Sequence, residues 1–399
     1  MAGSQAGKVR RMLEPSAEAM PAEELAILQS ERLRALVGRL LAAGGIQAER
    51  LRAAGVTAPD GITLADLPRL PMVAKADLWA AYPFGMLEVP AEDLVAVHGS
   101  SGTGGRPTLV GYTRADLRLW ARMCARALAA AGATRASIVH NAYGYGLFTG
   151  GVGIHQGAVE LGATVIPVSG GMTARQVTLI RDLRPDILTC TPSYAIRLGE
   201  ALAEAGAGPG QGLSLKAGLF GAEPWSGELR ARIEELLGLR ALDIYGLSEV
   251  IGPGVAAECL EAADGLHVNE DHFVVEAVDP ATGAPVPDGT LGELVFSTVT
   301  RPVRDYSRPG TGGVPSRHRT TRTALPTSLR GTVPLGSTWT WTPTPSSARR
   351  RDSSSPAVGT APAPAPGEPW LAGPEPPAVL YSQHTTRRRV SCRSSTTST

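Results

Sequence analysis

The decisive stretch of the chain runs from residue 137 to residue 246, where five short apolar runs alternate with helical sequence. The runs read SIVHNAYG (137–144), ATVIPVS (163–169), DILTCT (186–191), SLKAGLFG (214–221) and RALDIYG (240–246). The spacing between them predicts helices at 150–162, 173–184, 193–205 and 225–238. Short buried strands that alternate with helices are typical of a mostly parallel sheet covered by helices on both faces. We therefore predict an α/β fold.

Local signals indicate where several helices begin and end. Thr173 and Ser193 are residue types that cap a helix N-terminus, while Gly162 and Gly238 are expected where a helix stops. Upstream, leucines at helical spacing with charges between them predict a helical segment over 16–55.

After Ile251 the pattern changes to two apolar strands around a turn. The strands read HFVVEAVDP (272–280) and LGELVFSTV (291–299), and ATGAPVPDG (281–289) connects them. This pattern predicts an antiparallel hairpin. We accordingly divide the body into an α/β core at 1–250 and a small β subdomain at 251–300.

Charge and composition set the remaining residues apart. Residues 1–300 carry 24 Lys and Arg against 33 Asp and Glu, whereas residues 301–399 carry 14 against 4 and include 15 prolines. Such a segment buries too little apolar surface to offset the entropy of ordering it. We predict a low-complexity tail rich in Arg, Pro, Ser and Thr. It is open whether the tail is a disordered linker, a basic binding arm or a frame-shifted translation of a GC-rich gene.

The same composition bears on location. No apolar run approaches the roughly 20 residues of a membrane span, and the first residues lack the apolar stretch of a secretory signal. The four cysteines lie far apart without a CxxC pair, which fits a reducing compartment. We expect a cytoplasmic protein with no membrane partner.

The glycine-rich segment HGSSGTGGRP (98–107) is a candidate anion site. Small residues let backbone N–H groups converge on an anion, and Ser100, Ser101 and Thr103 add hydroxyl donors while Arg106 adds charge. The segment is not a Walker A loop, because GxxxxGK[ST] is absent and a strand follows. Taken alone, it is equally explained as a tight hairpin turn.

Two further segments each place a carboxylate after a predicted strand. GAEPW (221–225) and YGLSE (245–249) end in loops at the carboxyl edge of the sheet, where ligands of open α/β sheets bind. A carboxylate there can hold Mg²⁺ against phosphate oxygens. Either acid taken by itself is better explained as a helix-start or solvated residue.

Together these segments resemble, in order and spacing, the phenylacetate–CoA ligases of the adenylate-forming superfamily. The resemblance extends from about residue 28 to residue 300 and is carried by SSGTGGRPTLVGYT, NAYGYGLFTGG, GATVIPVSGG, CTPSYA, GAEPWS, DIYGLSEVIGPGVA, DGLHVNEDHF and GELVF. It implies a large N-terminal α/β domain with mostly parallel sheets and a small β subdomain. It also implies an AMP-forming ligase that uses ATP, Mg²⁺ and coenzyme A to convert an aromatic carboxylic acid into an acyl-adenylate and then a thioester.

The resemblance implies roles for individual residues. Glu249 and Arg106 would be catalytic, with Glu249 also the Mg²⁺ ligand. The phosphates of ATP would be bound by Ser100, Ser101, Gly102, Thr103, Gly104 and Gly105. Adenine would lie against Ala222, Glu223, Pro224, Tyr245 and Gly246. The aromatic acid would be bound by Tyr143, Gly144, Phe148 and Gly150.

The sequence departs from the family pattern in several places, two of which bear on catalysis. In the phosphate loop, Gly104 stands where the family has Thr and Arg106 where it has Lys. Beyond residue 300 the expected C-terminal lid domain, which supplies a catalytic lysine, is missing or scrambled, since no lysine follows Lys216. We expect this to impair both half-reactions.

Other functions stay open at this point. A related alternative is an adenylyltransferase for a deazaflavin coenzyme, and another is a degenerate nucleotide-binding protein without turnover. Zinc at Cys259, His267 and His272 is conceivable, although their spacing matches no standard motif. We expect a small aromatic acid as partner and no nucleic acid, and a homodimer is compatible with the sequence.

Overall fold

A computed structural model describes residues 12–100, 107–263, 265–287 and 292–300, together with four short strands between 317 and 394. The N-terminal part contains α1 (Pro15–Glu18), α2 (Ala22–Ala43) and α3 (Gly45–Ala53). The prediction of one helical segment over 16–55 is therefore wrong in its continuity. One break lies at 19–21, between α1 and α2, and a second falls at Gly44, whose φ of 74° and ψ of −153° lie in a region essentially restricted to glycine.

In the sequence, a β-hairpin comes before the core of alternating strands and helices. After a 3₁₀ helix at Leu64–Arg69 the elements are β1 (Met72–Val73), α4 (Lys75–Ala80), a 3₁₀ turn at Ala91–Asp93, β2 (Leu94–Ser100), β3 (Thr108–Thr113) and α5 (Arg114–Ala130). The core consists of β4 (Ile138–Asn141), α6 (Gly150–Leu161), β5 (Thr164–Pro167), α7 (Thr173–Leu183), β6 (Ile187–Cys190), α8 (Pro192–Glu204), β7 (Ala217–Phe220), α9 (Gly227–Leu237), β8 (Arg240–Leu247), β9 (Gly252–Ala257) and β10 (Leu266–Val268).

The main sheet confirms the predicted α/β architecture. Its strands run β10, β9, β8, β7, β6, β4 and β5 in spatial order. Strands β8, β7, β6, β4 and β5 pair in parallel, while β9 is antiparallel to both β8 and β10. The carboxyl ends of the five parallel strands consequently meet at one edge.

Apolar residues on successive positions of each strand fill two separate cores. Ile187 of β6 packs with Trp120 of α5, whereas the adjacent Leu188 packs with Leu198 of α8. Because side chains alternate between the faces of a strand, a strand covered on both sides is apolar throughout. All four residues of β6 are buried, in agreement with this rule.

Two of the four predicted helix-end residues are confirmed. Gly162 and Gly238 follow α6 and α9 in the left-handed conformation, with φ of 81° and 65°. The two predicted N-caps are wrong. Thr173 is the first residue of α7, and Ser193 lies inside α8, whose cap is Thr191.

A second sheet contains the predicted hairpin. β11 (Phe273–Val278) and β12 (Glu293–Thr298) pair antiparallel from Phe273 opposite Thr298 to Val278 opposite Glu293. The side chains of Val274 and Val299 share a core with Leu33 and Leu36 of α2. β13 (Arg317–Arg319) lies between β12 and β1 in this sheet.

Strands from the tail also extend the main sheet. β14 (Ser328–Gly331), β15 (Ser337–Thr340) and β16 (Ser391–Ser394) continue beyond β10. The other residues of 301–399, on which the disordered and frame-shifted interpretations bear, lie outside the described residues. Strands β9 and β10 lie after residue 251 but join the main sheet. The boundary between an α/β core at 1–250 and a β subdomain at 251–300 stays a prediction.

A buried ionic network ties the N-terminus to the core. Arg126 on α5 donates from Nη1 and Nη2 to the two carboxylate oxygens of Asp271 at 2.8 and 3.0 Å, and from Nε to Glu14 at 2.7 Å. His272 contacts the same aspartate at 3.1 Å. Burial raises the pKa of Asp271, but the hydrogen bonds from His272 and Arg126 outweigh it and hold that pKa below its usual range.

Among the helices of the described residues, we find none that combines the length and apolar character needed to cross a bilayer.

Candidate active site

Ser100 and Glu249 meet at the carboxyl edge of the main sheet. Ser100 is the last residue of β2, immediately before the glycine-rich loop, and Glu249 follows β8. The Ser100 hydroxyl donates to Oε1 of Glu249 across 3.4 Å. The loop residues Ser101, Gly102, Thr103, Gly104, Gly105 and Arg106 lie outside the described residues, so their predicted roles stay predictions.

A buried tyrosine supports the turn that carries Glu249. The Tyr112 hydroxyl on β3 donates to the Ile251 carbonyl at 3.1 Å and lies 3.5 Å from the Ser248 carbonyl. The Ser248 hydroxyl lies 3.3 Å from that of Thr149. Burial raises the pKa of Tyr112 well above its usual value, which keeps the donor proton in place.

Three rings form a base beneath this turn. His98 and Trp120 lie edge-on, 5.6 Å between centroids, and Tyr112 stacks on Trp120 at 5.2 Å. Trp120 Nε1 also donates to the Pro253 carbonyl at 3.0 Å. These three residues were not among the predicted site residues. Signals for them are visible in the sequence: a histidine lies directly before the glycine-rich loop, and an aromatic residue with a polar atom lies on each of the next two elements, β3 and α5. The rings fix both segments that bring Ser100 to Glu249.

The loop after β4 lies beside β2, the strand that leads into the glycine-rich segment. The Gly99 N–H donates to the Leu147 carbonyl at 2.7 Å, which joins the two segments directly. Of the residues predicted to bind the acid, Phe148 is 39% exposed and Tyr143 is 4% exposed. A Cβ on Gly144 would meet nothing within 4 Å, and Gly150 is the first residue of α6. The loop therefore has open space at Gly144 and carries one buried ring, Tyr143, and one accessible ring, Phe148.

The side chain of Tyr143 is anchored in the protein core. Its hydroxyl donates to the Leu219 carbonyl of β7 at 3.4 Å, and burial raises its pKa well above the usual value. It belongs to the core that also contains Ile154. Tyr143 thus packs in the core, at the base of the loop that follows β4.

The segment predicted to bind adenine connects β7 to α9. Ala222 is exposed with a φ of 70°, and Pro224 is exposed. The Glu223 carboxylate accepts a short hydrogen bond from the Ser193 N–H and thus caps the N-terminus of α8. The helix-start interpretation of Glu223 is present in this structure.

Tyr245 and Gly246 lie at the carboxyl end of β8. The half-buried Tyr245 ring stacks on Phe296 at 5.5 Å between centroids. A Cβ on Gly246 would lie 1.8 Å from the Gly252 carbonyl oxygen, so only glycine allows β8 and β9 to approach at this point.

A second buried network, also missed by the sequence analysis, lies under the adenine segment. Trp225 Nε1 donates to Asp243 at 2.9 Å, and the Arg230 guanidinium lies 4.6 Å from the Trp225 ring centre. Arg230 forms two hydrogen bonds to Glu258, at 2.8 and 3.1 Å. Burial and the neighbouring Glu258 raise the pKa of Asp243 well above its usual value.

The oxygen ligands at the site suit Mg²⁺ better than zinc. Glu249 supplies a carboxylate beside the Ser100 hydroxyl, and Mg²⁺ is usually held by one or two carboxylates plus substrate phosphates. His267 Nε2 lies 3.2 Å from Cys259 Sγ, but His272 is engaged with Asp271 and Thr300. Over the described ranges, His, Cys, Asp and Glu residues form no group of three or more able to hold a metal.

The fold and this edge define an α/β protein built to bind a ligand at the carboxyl ends of parallel strands. Comparison with known proteins makes this specific. The family model of the AMP-binding enzymes matches residues 12–300, and the chain belongs to that family.

Individual relatives agree. The chain is 50% identical over 301 residues to the phenylacetate-coenzyme A ligase of Thermus thermophilus, covering 75% of this chain and 67% of that one. It is 48% identical over 309 residues to the phenylacetate-coenzyme A ligase of Escherichia coli, covering 76% and 71%. The chain thus spans about two thirds of the length of these relatives.

A solved structure supports the same fold. The open conformation of 2-hydroxyisobutyryl-CoA ligase, in complex with 2-HIB-AMP and CoA, matches with a TM-score of 0.71 and 29% identity, covering 83% of this chain and 73% of that one. The architecture is that of the adenylate-forming enzymes.

Proposed function

We propose that this chain is an AMP-forming acid–thiol ligase that activates an aromatic carboxylic acid of the phenylacetate type with ATP and coenzyme A. The observation that carries the proposal is the contact between the Ser100 hydroxyl and the Glu249 carboxylate. It joins the strand leading into the glycine-rich loop to a potential metal ligand, in a chain about half identical to phenylacetate-coenzyme A ligases.

The first half-reaction needs positioning more than proton transfer. An aromatic carboxylic acid is ionised at pH 7, so its oxygen attacks the α-phosphorus of ATP without a general base. A bond forms between that oxygen and phosphorus, the bond to the bridging oxygen breaks, and pyrophosphate leaves. The protein contributes by aligning the reactants and stabilising charge on the phosphates.

The chain's own groups divide this task. The Ser100 hydroxyl, which donates to Glu249 in this structure, would turn to donate to a phosphate oxygen, and Glu249 would hold Mg²⁺. When bound, Mg²⁺ neutralises charge on the phosphate oxygens. Arg106 and the other loop residues would add donors around the β- and γ-phosphates.

The aromatic acid and the adenine would occupy the neighbouring loops. We assign the acid to the loop that carries Tyr143 and Phe148, beside the open position at Gly144, where ring edges can contact an aryl group. The adenine would lie between Ala222 and Tyr245. Both loops follow parallel strands at the same edge as Glu249, which supports an acid site next to the α-phosphate.

Both half-reactions also involve residues beyond 300. The resemblance implies a C-terminal lid domain there, whose lysine would assist adenylation and whose rotation would then admit coenzyme A. We expect residues 98–300 to supply the binding sites for nucleotide and acyl-adenylate.

Binding and turnover are tested separately. Calorimetric titration of the full chain with phenylacetyl sulfamoyladenosine, a non-reactive analogue of the acyl-adenylate, should give saturable binding. Incubation with ATP, Mg²⁺ and phenylacetate should release AMP faster when coenzyme A is added. Absence of analogue binding would refute the proposal, while AMP release that is independent of coenzyme A would favour a different acyl or nucleotidyl acceptor.

A further inference from the structure

A strained turn forms one side of the candidate acid site. It consists of residues 169–172, after β5, and lies next to the loop that carries Tyr143. Ser169 and Met172 have φ of 69° and 48°, a region that residues with a side chain seldom adopt. Such a conformation persists only where the surrounding structure enforces it.

The buried Gln176 of α7 enforces this turn. Its Nε2 donates to the carbonyls of Ser169 and Gly171, at 2.8 Å each. Its Oε1 accepts a hydrogen bond from His140 Nε2 at 2.9 Å. Both amide N–H groups are thus engaged with the turn, and the orientation of the side chain is set by the histidine behind it.

His140 is suited to this supporting position. It is fully buried at the end of β4, and burial lowers its pKa, so the ring is neutral. Because Gln176 presents its oxygen, the ring proton must be on Nε2. The polar pair has no part in the reaction described above.

The turn is also bonded to the acid loop. The Tyr145 N–H donates to the Ser169 hydroxyl at 3.3 Å. Asn141 Nδ2 donates to the Tyr145 hydroxyl at 2.7 Å and to the Gly151 carbonyl at 2.8 Å. The consecutive residues His140 and Asn141 therefore support both segments. His140 supports the turn 169–172 through Gln176, and Asn141 is bonded directly to Tyr145 in the loop after β4.

We propose that Gln176 is a positioning residue of the carboxylic-acid site, which fixes the turn 169–172 at the separation from segment 143–150 that the aryl group requires. The inference rests on the proposed function. Nucleotide contacts lie on other loops, so loss of the Gln176 hydrogen bonds should weaken binding of the acyl part and change the preference among acids without affecting ATP.

The test uses the full chain and three variants. Gln176→Met removes the polar contacts at similar volume, and Thr178→Met is the matched control at an exposed position of the same helix. Tyr194→Phe removes the hydrogen bond of 2.9 Å to the Gly171 carbonyl and the contact of 3.3 Å with the Thr173 hydroxyl. Each protein is titrated with ATP, phenylacetyl sulfamoyladenosine and benzoyl sulfamoyladenosine.

For Gln176→Met we expect about tenfold weaker binding of the phenylacetyl analogue, a changed ratio between the two analogues, and ATP affinity within about twofold of the parent. The ratio does not depend on the folded fraction of the sample. Tyr194→Phe should change it in the same direction by less, and it decides the outcome if Gln176→Met fails to fold. Thr178→Met should match the parent.

An unchanged ratio in a parent protein that binds both analogues would overturn the role of Gln176 and leave the proposed function standing. An equal loss of ATP and analogue binding would also overturn it, because that is the signature of general destabilisation. If the parent binds neither analogue, the proposed function fails and this inference fails with it.

Discussion

The hydroxyl oxygen of Ser100 lies 3.4 Å from Oε1 of Glu249, although 149 positions separate the two residues in the sequence. The contact joins the β2–β3 hairpin to the turn after β8. It exists because Tyr112 on β3 donates to the Ile251 carbonyl, while Gly99 is bonded to Leu147. Two loops that are remote in sequence thereby form one candidate phosphate and metal site.

Removing the charge of Glu249 should weaken nucleotide binding that depends on Mg²⁺. We expect Glu249→Gln to reduce the affinity for Mg·ATP about tenfold or more, because a neutral amide is a poor Mg²⁺ ligand. Thermal unfolding should stay near that of the parent. Glu160→Gln, at an exposed position of α6, is the control and should bind normally. Equal affinity in both variants would remove Glu249 from the site.

Two glycines of the candidate site should differ sharply in their tolerance of a methyl group. Gly246→Ala would place Cβ 1.8 Å from the Gly252 carbonyl oxygen, and we expect a loss of about 3 kcal/mol or more in the free energy of unfolding. Gly144→Ala meets nothing within 4 Å and should cost less than about 1 kcal/mol. Denaturant unfolding of both variants checks this, and comparable stabilities would contradict the close approach of β8 and β9.

The alternating core could be predicted because its strands are buried on both faces. The burial of these strands is visible in the sequence as continuous apolar runs around Ile187 and Leu219. The N-caps could not be placed from residue type alone. Thr191 precedes Pro192, which is favoured in the first helical position, so the cap lies two residues before Ser193.

The site was predictable in part. Segments that follow parallel strands must meet at one edge, which is why Glu223 and Glu249 could be grouped in advance. The supporting contacts could not be predicted, because they join residues distant in sequence, as His140 joins Gln176. A sequence signal for them exists in IVHN (138–141), where two polar residues end an apolar strand.

The buried ionic network should be important for stability. Arg126→Met would leave Asp271 buried without its bidentate partner, and we expect a loss of about 3–5 kcal/mol in the free energy of unfolding. Arg122→Met on the same helix removes a contact of 3.3 Å to Glu14 by a half-exposed side chain, and it should cost less than about 1 kcal/mol. Urea unfolding compares the two, and similar losses would argue against a special role for Arg126.

Glu270 should give the protein a pH-dependent stability. Burial and the neighbouring Asp271 raise its pKa from 4.5 to about 7. The folded state therefore holds a proton that the unfolded state releases between these values. The stability contributed by this group is complete below pH 4.5 and is lost as the pH rises through about 7.

Glu270→Gln should abolish that dependence. We expect the variant to be more stable than the parent by roughly 1–3 kcal/mol at pH 8, and about equal to it at pH 4.5. Urea unfolding at the two pH values measures the difference, with Glu261→Gln as the exposed control. A variant that is less stable than the parent at pH 8 would show that the Glu270 carboxylate has stabilising partners when ionised.

A crystal structure of the full chain with ATP and Mg²⁺ tests the central claim most directly. The account predicts a triphosphate held by the glycine-rich loop, with a phosphate oxygen within hydrogen-bonding distance of the Ser100 hydroxyl and Mg²⁺ bound to the Glu249 carboxylate. Nucleotide bound elsewhere, or Glu249 directed away from metal and phosphate, would contradict it.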